Sequence, residues 1–402
     1  MEATGKRIYF NNLDILRFLA AYMIVLLHAF FGWKSHFKGI KALTGLAPDT
    51  VAVIERVLEN FTIGVDIFFL ISGFLLTYLL LVEREKTGKV NVLRFYIRRA
   101  FRIWPLYFLM LVLGPLMTFF FKEQEPDYLY HFFFAGNFDL IKNGTKSIAT
   151  DHLWSICIEE HYYLICPLLI GFVPLKRLPE TMIFICFLCF LFRAKVSLDN
   201  PNVGNIIYVH TLSRIDVLAL GSLFGYLFYY KKLVFNHPLS IRLMVYACFF
   251  LLFLNVNYNQ ADNFFYATIK KYLFVGAVAY WMGNFLFHPN SILAVKKTTI
   301  FHSFGKVTYG LYMFNPVIIY LILKIFSAYQ MESFLVYILL FHAALALVCF
   351  LSYRFFEMPF LALKEKYAVV KSGGVVAPEE SVPEVAAVDP ATEPVLVPKS
   401  DL

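Results

Sequence analysis

The sequence predicts an all-α membrane protein, a polytopic bundle of about ten transmembrane helices with both termini in the cytoplasm. Three observations carry that prediction. Hydrophobic residues make up 59% of the 402 residues and charged residues only 16%, against roughly 45–50% and 25% in soluble domains. Apolar runs of about 20 residues recur along the chain, the length that a hydrocarbon core of roughly 30 Å requires of a helix. The runs are also continuous, as in IFFLISGFLLTYLLLV from Ile67 to Val82, whereas transmembrane strands would alternate over about ten residues. The predicted helices cover 13–33, 61–83, 101–121, 153–175, 180–197, 211–230, 241–258, 263–287, 304–326 and 333–355.

The first run, Leu13 to Trp33, is too long for a signal-peptide core and reads as a retained first helix. It carries Arg17 and His28, 11 residues and about three turns apart, so they share one face and differ in depth by roughly 16 Å. An ionisable group at membrane depth costs free energy unless it faces protein or water, which makes both positions functional candidates. The competing reading has Arg17 snorkelling to the inner interface and His28 bonded to a neighbouring helix. The second helix opens with GVDIFFLISGFL, placing Asp66 at its outer start and Ser72-Gly73 in its middle. Asp66 reads either as a helix cap or as a partner of His28 or Arg214, and Gly73 as a point of close helix approach.

Seven basic residues lie between Arg84 and Arg102, among them Arg94, Arg98, Arg99 and Arg102 in LRFYIRRAFRIWPLY. Most of the 36 Lys and Arg fall in segments on the same side as this stretch, which the positive-inside rule places in the cytoplasm. Arginine at all four positions suits bidentate phosphate contacts, beside the plainer roles of setting topology and holding anionic lipid. The net charge of +8 therefore speaks for lipid or a phosphorylated ligand and against nucleic acid, because the basic residues hug the membrane beside Trp104 and Pro105.

The outer loop 122–150 is rich in Tyr, Phe, Asp and Asn, fitting either a cover for an outer site or an interfacial aromatic belt. The fourth helix begins DHLWSICIEEHYYLICP. Ser155 and Glu159 share a helical face with Trp154 beside them, so a carboxylate and an aromatic ring are presented to a site that adjacent Glu160 does not face. Arg214 and Asp216 sit at an outer helix end, where an ion pair is the simplest reading. The six cysteines all lie in apolar segments; Cys186 and Cys189 form a CxxC-like pair that reads as small packing residues, and no metal site or disulfide framework is expected. Residues 1–370 form the expected membrane domain. From 371 to 402 the chain turns to Val, Pro, Ala, Glu and Ser, the composition of a disordered cytoplasmic tail.

Taken together the motifs resemble acyltransferase family 3, integral membrane proteins that O-acylate carbohydrates at the bacterial envelope. The matching segments are LDILRFLAAYMIVLLH (13–28), GVDIFFLISGFLL (64–76), RRAFRIWPLY (98–107), LWSICIEEHYYLICPLL (153–169), RIDVLALGSLFGYL (214–227), VTYGLYMFNP (307–316) and SYRFFEMPF (352–360), in order along the membrane portion. The resemblance implies a multi-pass protein of the bacterial inner membrane that transfers an acyl group, acetyl by default, from acetyl-CoA to a carbohydrate hydroxyl. It carries over His28 and Glu159, and with Asp66 read above as a partner of His28 the expected catalytic set is His28, Glu159 and Asp66, with Glu159 or Asp66 orienting the imidazole or the sugar. Donor phosphates would meet Arg17, Arg98, Arg99 and Arg102, and the acceptor would meet Trp154, Ser155 and Arg214. Asn315 departs from the family pattern, which often has histidine there, and receives no catalytic role. No fused hydrolase-like domain is seen, so a stand-alone membrane version is expected. The rival reading is a secondary transporter or flippase of a glycan or glycolipid, which would also carry charges inside a bundle.

Overall fold

A computed structural model describes residues 8, 10, 12–37, 47–199, 204–230, 235–255, 266–288, 291 and 304–370. The predicted tail, 371–402, lies outside the described residues, as do the end of the predicted helix 241–258 and the first residues of 263–287. The architecture is all-helical. In chain order the helices are α1 Leu13–Phe37, α2 Pro48–Asn60, α3 Ile63–Thr87, α4 Val92–Phe121, α5 Tyr128–Phe132, α6 Gly136–Asn143, α7 Trp154–Phe172, α8 Leu178–Asp199, α9 Gly204–Val209, α10 Thr211–Tyr229, α11 Leu239–Asn255, α12 Lys271–Phe287, α13 Thr308–Ala328, α14 Phe334–Leu351 and α15 Met358–Lys366.

Eight stretches among the described residues are long and apolar enough to cross a membrane, which makes the fold a polytopic membrane bundle. The other two predicted spans border residues outside the described ones: α11 runs to Asn255, and α12 continues a π-helical segment, Tyr266–Lys270. Two further boundaries depart from the sequence reading. The predicted second helix is preceded by a separate amphipathic helix, α2, with proline at its start. The helix predicted from 101 begins nine residues earlier, so all four arginines lie on α4. The reason is local. Gly88 takes a left-handed φ of 72°, which ends α3 without a Cβ penalty, and the Asn91 side chain then accepts from the Arg94 N–H to start α4.

Helix α3 forms the centre, with 72% of its apolar stretch buried, against 22% for the stretches containing α8 and α14. Its partner α10 approaches backbone to backbone. A Cβ on Gly73 would lie 2.0 Å from the Leu218 carbonyl, and one on Gly221 would lie 2.2 Å from that of Leu70. Small residues at such crossings let dispersion contacts replace the hydrophobic drive that is absent in lipid. One and two turns outward, this contact is extended by an ion pair, Arg214 to Asp66 at 3.0 Å. A second buried cluster, Arg193 and Lys271 on either side of Asp216, ties α8 and α12 to α10. Helices α1, α7 and α13 complete the interior around α3, and between these helices lie the cavities.

Candidate functional site: two cavities sharing one wall

Among the described residues, two cavities in the bundle interior share part of their lining. The inner one, about 120 Å³, is lined by Arg17, Ser72, Arg99, Arg102, Glu159 and Tyr163 among others. The outer one, about 520 Å³, is lined by His28, Asp151, His152, Trp154 and Tyr208 among others. Val65 and Tyr312 belong to both linings and stand between them. The predicted 11-residue spacing on α1 thus puts Arg17 in the inner cavity and His28 in the outer.

In the inner cavity the cations outnumber the carboxylates. Arg17 pairs with Asp14 on its own helix at 3.2 Å. The Arg99 guanidinium lies against the Phe95 and Tyr163 rings, 5.6 and 5.7 Å from their centres. Arg102 makes no ion pair among the described residues. Arg98 lies on a smaller adjoining depression that also involves Arg99, Arg102 and Lys364. It is bound to Glu83 at 3.2 Å and to the Tyr367 carbonyl at 3.1 Å. Glu159 accepts hydrogen bonds from Ser72 at 3.0 Å and Tyr163 at 2.8 Å. Adjacent Glu160 turns away and accepts from the Trp104 indole, as helical geometry requires.

The orientation of His28 differs from the expectation. Neither Glu159 nor Asp66 holds the imidazole; His28 Nδ1 lies 2.7 Å from Asn315 Oδ1. The cause can be traced through α13. Pro316 has no N–H to give the Tyr312 carbonyl, its i−4 acceptor. The Asn315 side-chain amide supplies the missing bond, donating to the carbonyls of Tyr312 at 2.7 Å and Leu311 at 2.9 Å. With its NH2 committed, Asn315 can present only oxygen to His28. The proton must then sit on His28 Nδ1, leaving Nε2 as the basic nitrogen.

Two other expected site residues lie elsewhere. Asp66 is on neither cavity lining; it holds Arg214, one of the two partners that the sequence offered for it. Arg214, expected to meet the acceptor, is 4% exposed and enclosed by the Phe69, Trp154 and Tyr208 rings. This pair supports the wall from behind. Trp154 lines the outer cavity and Ser155 the inner one, where its hydroxyl lies 2.7 Å from that of Tyr312. The sequence reading passed over Tyr312 and His152 and gave Asn315 no catalytic role. An Asn-Pro pair inside an apolar helix was the available signal for Asn315. His152 precedes Trp154 on the outer lining, is 8% exposed, and has no hydrogen-bond partner for either ring nitrogen among the described residues.

The motifs of the sequence thus converge inside a helical membrane bundle, with a cationic inner cavity and an oriented imidazole in an outer one. The chain belongs to the acyltransferase 3 family, whose acyltransferase-domain profile matches residues 10–353. It is similar to the O-acetyltransferase OatA of Staphylococcus aureus, 29% identical over 332 residues that cover 74% of this chain and 52% of the relative. It is also similar to a putative O-acetyltransferase of the same species, SACOL0978, 26% identical over 354 residues covering 80% and 56%. The chain spans about half the length of these curated relatives. No solved structure matches.

Proposed function

We propose that the protein is an integral membrane O-acyltransferase of a bacterial plasma membrane. It moves an acyl group, acetyl in the first instance, from acyl-CoA on the cytoplasmic side to a hydroxyl of an envelope carbohydrate on the outer side. The orientation follows the positive-inside distribution of Lys and Arg. The observation that carries the reading is the placement of a basic His28 nitrogen on the outer cavity, one residue's width from a cavity lined by three arginines. Arg99 and Arg102, with Arg98, Lys364 and Arg17 around them, match the several phosphates of coenzyme A by charge and by fork geometry. The aromatic and polar outer cavity, with Trp154 and Tyr208, suits a sugar ring and its hydroxyls.

His28 Nε2 takes the acceptor hydroxyl proton as that oxygen attacks the thioester carbonyl carbon. A C–O bond forms, the C–S bond breaks, and the proton on His28 passes to the departing thiolate. Asn315 holds the imidazole in the required tautomer, the part played by the orienting group of a hydrolase triad. In a variant of this scheme His28 itself carries the acyl group between donor and acceptor. The test is purified protein with radiolabelled acetyl-CoA and an envelope glycan extract. Removing the base in His28→Ala is expected to lower transfer by about 100-fold or more. Undiminished label transfer by a His28→Ala, Arg102→Ala double variant would sink the assignment.

A further inference from the structure

We infer that Tyr312, with Val65, forms a partition between donor and acceptor cavities and sets the longest acyl group that reaches His28. The inference rests on the proposed acyltransferase reading and adds a specificity determinant to it. Tyr312 and Val65 appear on both cavity linings, so whatever passes from the arginines to the imidazole passes them. The Tyr312 ring is fixed at its far end: its hydroxyl donates to the His152 carbonyl at 2.7 Å and lies 2.7 Å from Ser155 Oγ. Ser155 is on the first turn of α7 and His152 in the 3-10 turn just before it, so the ring spans from α13 to the entry of α7. The backbone of the same residue is also committed, since its carbonyl accepts from Asn315, which orients His28. The partition and the residue that orients the base are therefore built on one turn of α13.

A ring held at both ends cannot yield as a flexible aliphatic side chain would. Such a wall admits a two-carbon acyl group more readily than one whose added methylenes must displace the ring. Arg214 and Asp66 stand behind it, and their buried ion pair fixes the Trp154 and Tyr208 side of the outer cavity.

The experiment has two readouts. In reconstituted protein, transfer from acetyl-CoA and hexanoyl-CoA is compared for wild type, Tyr312→Phe, Tyr312→Ala and Val65→Ala. The acetyl preference is expected to fall by about tenfold in Tyr312→Ala and by less in Val65→Ala, since each methylene against a fitted wall discriminates at about that level. Tyr312→Phe keeps the ring and stays near the wild-type preference. Independently, Leu75→Cys on the inner lining, in a Cys248→Ser background, reports access to an impermeant maleimide added from the outer side. It is expected to be shielded with Tyr312 present and labelled with Tyr312→Ala. An unchanged acyl preference in active Tyr312→Ala and Val65→Ala proteins overturns the inference, as does Leu75→Cys labelling that ignores Tyr312. If the wild type transfers no acyl group while labelling still depends on Tyr312, the acyltransferase reading fails and the partition stands.

Discussion

The inner and outer cavities solve their binding problems in different ways. The inner one assembles charge from several helices, α1, α4 and the segment before α13, and two of its cations are held by short-range partners, Asp14 for Arg17 and aromatic rings for Arg99, while Glu83 holds Arg98 in the adjoining depression. Loss of one leaves the others. The outer cavity is larger, yet its one oriented base depends on a single chain of contacts, from Pro316 through the Asn315 amide to His28. Redundant charge suits an anion recognised mainly by its field and its phosphate oxygens. A proton transfer needs one nitrogen in one tautomer, and small displacements there are costly.

Substitutions can break this contrast in a definite order. The largest effect falls on the buried ion pair behind the outer cavity's aromatic wall. Asp66→Ala leaves Arg214 buried without its carboxylate, and loss of one partner of a buried pair costs about 3–5 kcal/mol. A thermal unfolding assay in detergent should register that loss, and transfer should fall with it. Next comes Asn315→Leu, which leaves the fold in place but removes the hydrogen bond that sets the His28 tautomer; transfer is expected to fall by about 100-fold while donor affinity stays unchanged. On the inner side Arg102→Gln, removing a cation with no ion pair among the described residues, should weaken donor binding by about tenfold, as for the loss of one charge-assisted hydrogen bond. The smallest effect belongs to Arg98→Gln. Its guanidinium is already engaged by Glu83 and Tyr367, so binding should change by only about threefold.

How much of this was legible in the sequence follows from what local patterns encode. Composition and run length showed a helical membrane bundle, because a bilayer constrains each segment separately. Helical periodicity put Arg17 and His28 on one stripe, separated Glu159 from Glu160, and marked Gly73 as a close approach. Periodicity names a face but not what that face meets. The partner of His28 lies 287 residues away. Arg214 read both as a partner of Asp66, which it is, and as an acceptor contact, whereas α3 and a ring of aromatics enclose it. Asn315 was set aside because it differed from a family pattern, while its chemistry lay in the neighbouring proline. The early start of α4 was hidden for a similar reason: the predicted span began at its apolar run, residue 101, although Gly88 and Asn91 already carried a stop and a start.

The central claim is that donor binding and acceptor activation occupy separate cavities. Isothermal titration of acetyl-CoA into purified wild type, His28→Ala and an Arg99→Gln, Arg102→Gln double variant tests it most directly. The account predicts wild-type donor affinity in His28→Ala, which no longer transfers, and at least about tenfold weaker binding in the arginine variant. Donor binding lost with His28, or kept without Arg99 and Arg102, would contradict it.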